Sequence, residues 1–131
     1  MATPKQLHAI IDEVSDQADT NGNVIQFTYQ GIGIMLVYDE NADRMRLIAP
    51  ISELTEVDDE MLLKAMQANF HSALDARYAV SQGAVWAAFI HPLADLSEEL
   101  FRSAIHQVAV ARATFGDQYT SGELIFNSGD A

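Results

Sequence analysis

The spacing of apolar residues switches between two periods along this chain, and that switching constrains the fold more than any single motif. Near the start, Leu7, Ile10, Ile11 and Val14 recur at three- and four-residue intervals, the repeat of one helix face, and Ala18 continues the stripe. Thr3 fits an N-cap, with Pro4 at the first helical position, where its missing N–H costs no bond. Asn21-Gly22 fits the stop of that helix. From Ile25 the spacing drops to two: Ile25, Phe27 and Tyr29 point one way, Gln26 and Thr28 the other. Past a tight turn at Gly31-Ile32-Gly33, a strand carries Ile32, Ile34, Leu36 and Tyr38 on one side. Met35 and Val37 lie on its other side, which implies cover on both. The polar loop 39–43 returns the chain as a third strand from Arg44 to Ala49, with Met45 and Leu47 inward, and Pro50 ends it.

The helical period then resumes. Thr55 or Asp58 caps a second helix, and Glu56, Asp58, Asp59 and Glu60 crowd its first turn, where the helix dipole favours negative charge. Met61, Leu62, Met66 and Phe70, widened by Leu63, form its predicted buried stripe. Strands about Arg77–Val80 and Ala84–Ile90 follow, joined at Ser81-Gln82-Gly83, and the second is apolar on both faces before Pro92 closes it. A last helix starts near Asp95 or Ser97, buries Leu100, Ala104, Ile105, Val108 and Phe115, and stops at Gly116. The expected fold is α+β with two layers, a five-stranded antiparallel sheet under three helices in the order α-β-β-β-α-β-β-α. Residues 1–116 read as a single domain and 117–131 as a C-terminal tail, in which Leu124-Ile125-Phe126 is the one apolar cluster.

Composition narrows the function classes. No cysteine is present, which excludes disulfides, thiolate metal sites and a cysteine nucleophile and fits a reducing compartment. Nineteen acidic against seven basic residues give a formal net charge of −12, which repels phosphate backbones and anionic lipid, so neither nucleic acid nor membrane is an expected partner. The N-terminus lacks the basic and apolar regions of a signal peptide, and no run reaches the roughly 18 apolar residues of a membrane span. A soluble, cytoplasmic protein is the expectation.

Catalytic and cofactor motifs do not emerge. His8, His71, His91 and His106 adopt no zinc-binding spacing, and His71 with Asp75 reads as a local contact. Gly31-Ile32-Gly33 is too short for a dinucleotide fingerprint, and no Gly-x-Ser-x-Gly elbow occurs. Asp39, Glu40, Asn41 and Asp43 offer oxygen ligands without the frame of a calcium loop, and the acids at 58–60 read as helix-terminal charge. Trp86 and the other aromatics read as core. No cofactor, metal or catalytic residue is expected.

Element order and size resemble the type III secretion chaperone-like superfamily, including the Tir-chaperone family, and its YbjN-type relatives. The likeness is carried by Ile32-Gly33-Ile34-Met35-Leu36-Val37-Tyr38-Asp39-Glu40 and Arg44-Met45-Arg46-Leu47. It continues through Glu60-Met61-Leu62-Leu63-Lys64-Ala65-Met66-Gln67-Ala68-Asn69, Gly83-Ala84-Val85-Trp86-Ala87-Ala88-Phe89 and the polar-capped helix from Ser97. It covers roughly residues 5–116. The resemblance implies a cytosolic, non-enzymatic homodimer whose sheet and helices hold an extended segment of a partner protein. The alternative is a small regulatory protein of the YbjN kind without a client chain. On the first reading, Val24, Met35 and Val37 are candidate partner contacts on the strand faces opposite the core. Phe70, Leu74, Tyr78 and Trp86 are candidate dimer contacts around the second helix and the hairpin after it.

Overall fold

In the computed structural model, which describes residues 2–122, the sequence's capping residues set the helix starts. Thr3 and Gln6 close a capping box on helix α1 (Pro4–Val14), which buries Leu7, Ile10 and Ile11. Asp58 caps helix α2 (Asp59–His71), accepting the Met61 N–H at 2.8 Å. Ser97 caps helix α3 (Glu98–Thr114). The strands are β1 (Gln17–Asn21), β2 (Val24–Tyr29), β3 (Ile32–Asp39), β4 (Arg44–Glu53), β5 (Arg77–Ser81) and β6 (Ala84–His91). They form one antiparallel sheet in the order β1-β2-β3-β4-β6-β5.

Among the described residues the architecture is the expected α+β one with three α-helices, but the sheet has six strands, not five. Helix α1 stops at Val14, and Gln17–Asn21 pairs with β2 as an additional edge strand. Asn21-Gly22 therefore leads from β1 into a hairpin turn at Gly22-Asn23 and is not a helix stop; Gly22 sits at φ +64°, a conformation a side chain disfavours. Two further hairpins turn at Gln30-Gly31 and Gln82-Gly83, with both residues of each pair left-handed. Nor does Pro50 end its strand. The β3–β4 ladder finishes at Met35–Ile48, so β4 continues paired only with β6, with a register shift between Pro50 and Ser52. A proline is tolerated at such an edge, because a missing amide hydrogen there need not break a ladder.

All three helices lie on one side of the sheet. Helix α3 packs on β4 and β6, α1 lies beside α3 over β1 and β2, and α2 packs mainly along β5. Phe101, Ala104, Ile105 and Val108 of α3 are fully buried against Ile25, Leu36, Met45, Leu47 and Ala87. Each large side chain there contributes about 1.5–3 kcal/mol. Helix α2 departs from the sequence reading. It buries Ala65 and Ala68, while Leu63, Met66 and Phe70 are 58%, 68% and 94% exposed. Its side-chain anchor is Asn69, whose amide accepts the Tyr78 N–H at 2.7 Å and donates to the Tyr78 carbonyl at 3.0 Å, pairing with β5 as a strand would.

Two polar clusters tie the helices in place. Gln107 of α3, buried among apolar neighbours, accepts the Asp75 and Ala76 N–H groups at 2.7 and 3.0 Å and donates to Asp75 and Ser103. Arg102 of α3 bridges Glu13 of α1 at 2.8 Å and Glu98 at 2.9 Å. The hydrogen bonds and charge of Arg102 hold the Glu13 carboxyl below its ordinary value of 4.5. The packed unit also continues past Gly116, where the sequence suggested a tail would begin. Tyr119 and Ser121 are buried, and the Tyr119 carbonyl and Ser121 hydroxyl accept bonds from Ser72 and the Leu74 N–H. Leu124-Ile125-Phe126 lies outside the described residues.

Substituting Gln107→Leu orphans two backbone donors beside the start of β5, and urea unfolding should show a loss of roughly 1–3 kcal/mol. A second expectation concerns acid. Because Glu13 titrates lower when folded, its ion pair stabilises the protein above the carboxylate's unfolded value and fades as pH falls through the lowered one. The difference in urea midpoint between wild type and Arg102→Met should therefore be full near neutral pH, shrink below pH 4.5 and narrow in high salt.

Candidate functional site

Alternation in each strand sends half of the sheet's side chains away from the helices, and no described element covers them. The strand registers arrange this open face in rows. One row runs Asn21, Val24, Val37, Arg46, Ile90 from β1 to β6. The next runs Asp19, Gln26, Met35, Ile48, Ala88, Arg77 from edge to edge. In the third, Gln17, Thr28 and Gly33 are followed by Pro50, Trp86 and Ala79 across the place where β3 and β4 cease to pair. Met35, Val37, Ile48 and Trp86 are half-buried by their neighbours, and Ile90 is 56% exposed.

The gap in the third row is a hollow of about 380 Å³ floored by Gly33 and bordered by Met35, Pro50, Trp86, Thr28, Gln26, Gln17 and Asp19. Two residue types make it. Gly33, the second residue of β3, contributes no side chain, and Pro50 offers no amide hydrogen to a β3 partner. Trp86 stands at the far wall, its ring N–H donating to the Ser81 carbonyl at 3.0 Å.

The structure places the candidate residues as follows. Val24, Met35 and Val37 all lie on this open face; Val24 and Val37 are direct cross-strand neighbours, and Met35 is one row away. The four candidate dimer residues do not share a surface. Phe70 projects from α2 into solvent, and Leu74 lies half-buried against Gly122. Tyr78 is in the core, where its hydroxyl donates to the Ala111 carbonyl at 2.9 Å, its ring meets Phe115 and Tyr119, and burial raises its pKa. Trp86 is on the opposite side of the sheet from the helices. Sequence reasoning missed Ile48, Ile90 and Gly33 as surface residues. A strand apolar on both faces was the signal for Ile90; Ile48 follows the outward Arg44 and Arg46 on β4, and Gly33 was absorbed into the neighbouring turn.

The titratable groups are dispersed. His8 meets Tyr38 at 3.5 Å, His106 meets Tyr29 at 3.1 Å, His91 contacts the Pro92 carbonyl, and His71 is exposed at the end of α2. The acids of the 39–43 loop serve the turn: Asp39 accepts the N–H groups of Asn41 and Ala42, and Asp43 accepts that of Ala94. Among the described residues, no group of three or more His, Asp or Glu is placed to hold a metal ion. No described helix is long and apolar enough to cross a membrane.

Several solved structures share this fold. The chain is similar to a chain of the complex of the Yersinia pestis type III secretion chaperone SycH with a stable fragment of YscM2, at 16% identity over 84% of this chain and 96% of that one, with a TM-score of 0.63. A chain of the ExsC–ExsE complex matches at 13% identity over 86% of this chain and 92% of that one, TM-score 0.61. A chain of the HopA1–SchA chaperone–effector complex matches at 11% identity over 83% and 86%, TM-score 0.61. No curated protein sequence matches the chain. The sequence profile of the Tir chaperone protein (CesT) family matches residues 5–114, from α1 to the end of α3. With the whole helix-over-sheet unit inside that match, the chain belongs to the Tir chaperone protein (CesT) family.

Proposed function

We propose that this protein is a non-enzymatic chaperone that holds an extended segment of a partner protein on its open sheet face. The observation that carries the reading is the one-sided packing of the sheet. Three helices share one face, while Met35, Val37, Ile48, Trp86 and Ile90 remain uncovered by any described element on the other. A cluster of partly exposed apolar side chains on a sheet face without helical cover suits an interaction site. An extended chain suits it, because alternate side chains of a strand match the row spacing of a sheet. Family membership agrees, and the similar structures of HopA1–SchA and ExsC–ExsE are themselves complexes. The cell interior is the setting this role requires.

The same reading includes a homodimer. Leu63, Met66 and Phe70 recur at three- and four-residue spacing along the outer side of α2, a stripe with no described partner. Val80 on the neighbouring edge strand is also exposed and extends the patch. A stripe on one helix can meet its own copy across a two-fold axis, which makes a self-complementary interface the simplest way to bury it.

Sedimentation should show a dimer at micromolar concentration, and Phe70→Glu should convert it to a folded monomer. Persistence of the dimer in that variant would move the interface elsewhere. For the client, the chain should co-purify with a stoichiometric protein partner. Met35→Glu, which places a charge in the middle of the open face, should weaken that complex by about 2 kcal/mol or more at unchanged melting temperature. A complex indifferent to that substitution argues against the open face as the holding surface.

A further inference from the structure

Nothing among the described residues requires a glycine at position 33. Its backbone is extended, not left-handed, and a Cβ built there would meet no atom of the described residues within 4 Å. Glycine in the interior of a strand weakens it, since it adds chain entropy to be lost and no side chain to pack. Yet Gly33 floors the hollow of about 380 Å³ between Met35, Trp86 and Pro50 on one side and Gln17 and Asp19 on the other. Any side chain at this position would rise into that space.

Resting on the client-binding reading above, we propose that Gly33 is a specificity-determining residue. It keeps the hollow free for one bulky apolar side chain of the bound segment, with a lysine or arginine beside it. The apolar part follows from the Met35 and Trp86 walls. The basic neighbour follows from charge: among the described residues Asp19 is the one charged side chain lining the hollow, and the whole chain carries a net charge of −12. Both the local carboxylate and the long-range field favour a cation next to the anchor and disfavour an acid there.

The test uses labelled serine- and threonine-rich peptides with one central Phe, flanked by Lys, Ser or Glu, and the full chain as wild type, Gly33→Val and Asp19→Asn. Anisotropy reports affinity. The emission of Trp86, the single tryptophan, reports whether the hollow is occupied. The Lys-flanked peptide should bind best and shift Trp86 emission. Gly33→Val should weaken it at least tenfold while its melting temperature stays level or rises, and Asp19→Asn should abolish the preference for Lys over Glu. Should Gly33→Val fold poorly, Gly33→Ala, which adds one methyl group, must still weaken binding.

Equal binding to wild type and Gly33→Val overturns the proposal, as does a preference for Glu. So does a Gly33→Val variant that loses its dimer, which would make a second copy the occupant, or a shift of Trp86 emission on deleting residues 123–131, which would make it the chain's own terminus. A co-purified partner retained equally by wild type and Gly33→Val overturns this proposal alone. Absence of any partner or peptide complex with wild type overturns the client-binding reading beneath it.

Discussion

The packing of α3 across β4 and β6 is the contact on which the remaining structure depends. Phe101, Ala104, Ile105 and Val108 fill the centre of the helical layer, and α1 then has a flank to lie against and the sheet a side to call inside. Once one face is committed in this way, strand alternation decides the orientation of every other side chain. The apolar residues at Met35, Val37, Ile48 and Ile90 are thereby turned outward by the same register that turns Leu36, Leu47 and Phe89 inward. The binding surface and the core are two consequences of one decision.

Helix α2 stands apart from that centre. Its fully buried contacts are two alanines, and an asparagine bonds to β5, while Met61 and Leu62 are half-buried and Leu63, Met66 and Phe70 are left exposed. Small residues at a helix–sheet contact allow close approach. The amide pairing of Asn69 with Tyr78 also occupies backbone groups on the outer strand that would otherwise be open to further pairing. Strand β1, at the other edge, has no comparable cover among the described residues and is exposed along its length. The two edges of the sheet are thus chemically different, one blunted and one open.

Much of this was legible in the residue order. The caps at Thr3, Asp58 and Ser97, the α1 stripe, the β2–β4 meander and the β5–β6 hairpin follow from periodicity and turn chemistry, and the family from the order of those elements. Gln17–Asn21 was missed because none of its residues is buried, so its sequence carries no alternation to read; Asn21-Gly22 was the one signal, and it serves a helix stop equally well. The inverted face of α2 has a different cause. Periodicity identifies a stripe but not what covers it, and a stripe destined for another molecule looks the same as one destined for the core. Pro50 and Gly33, read as a strand end and a turn residue, instead lie within paired strands and border the hollow where β3 and β4 no longer pair.

The strand order has a consequence for how the chain reaches this state. Every neighbouring pair in the sheet joins strands connected by a short turn, except β4 with β6, which must meet across the excursion through α2 and β5. Closing that long loop carries an entropic cost the local hairpins do not bear. The first four strands can zip together early. The nascent chain becomes a complete layer only when its second half has been made and has swung back to dock beside β4.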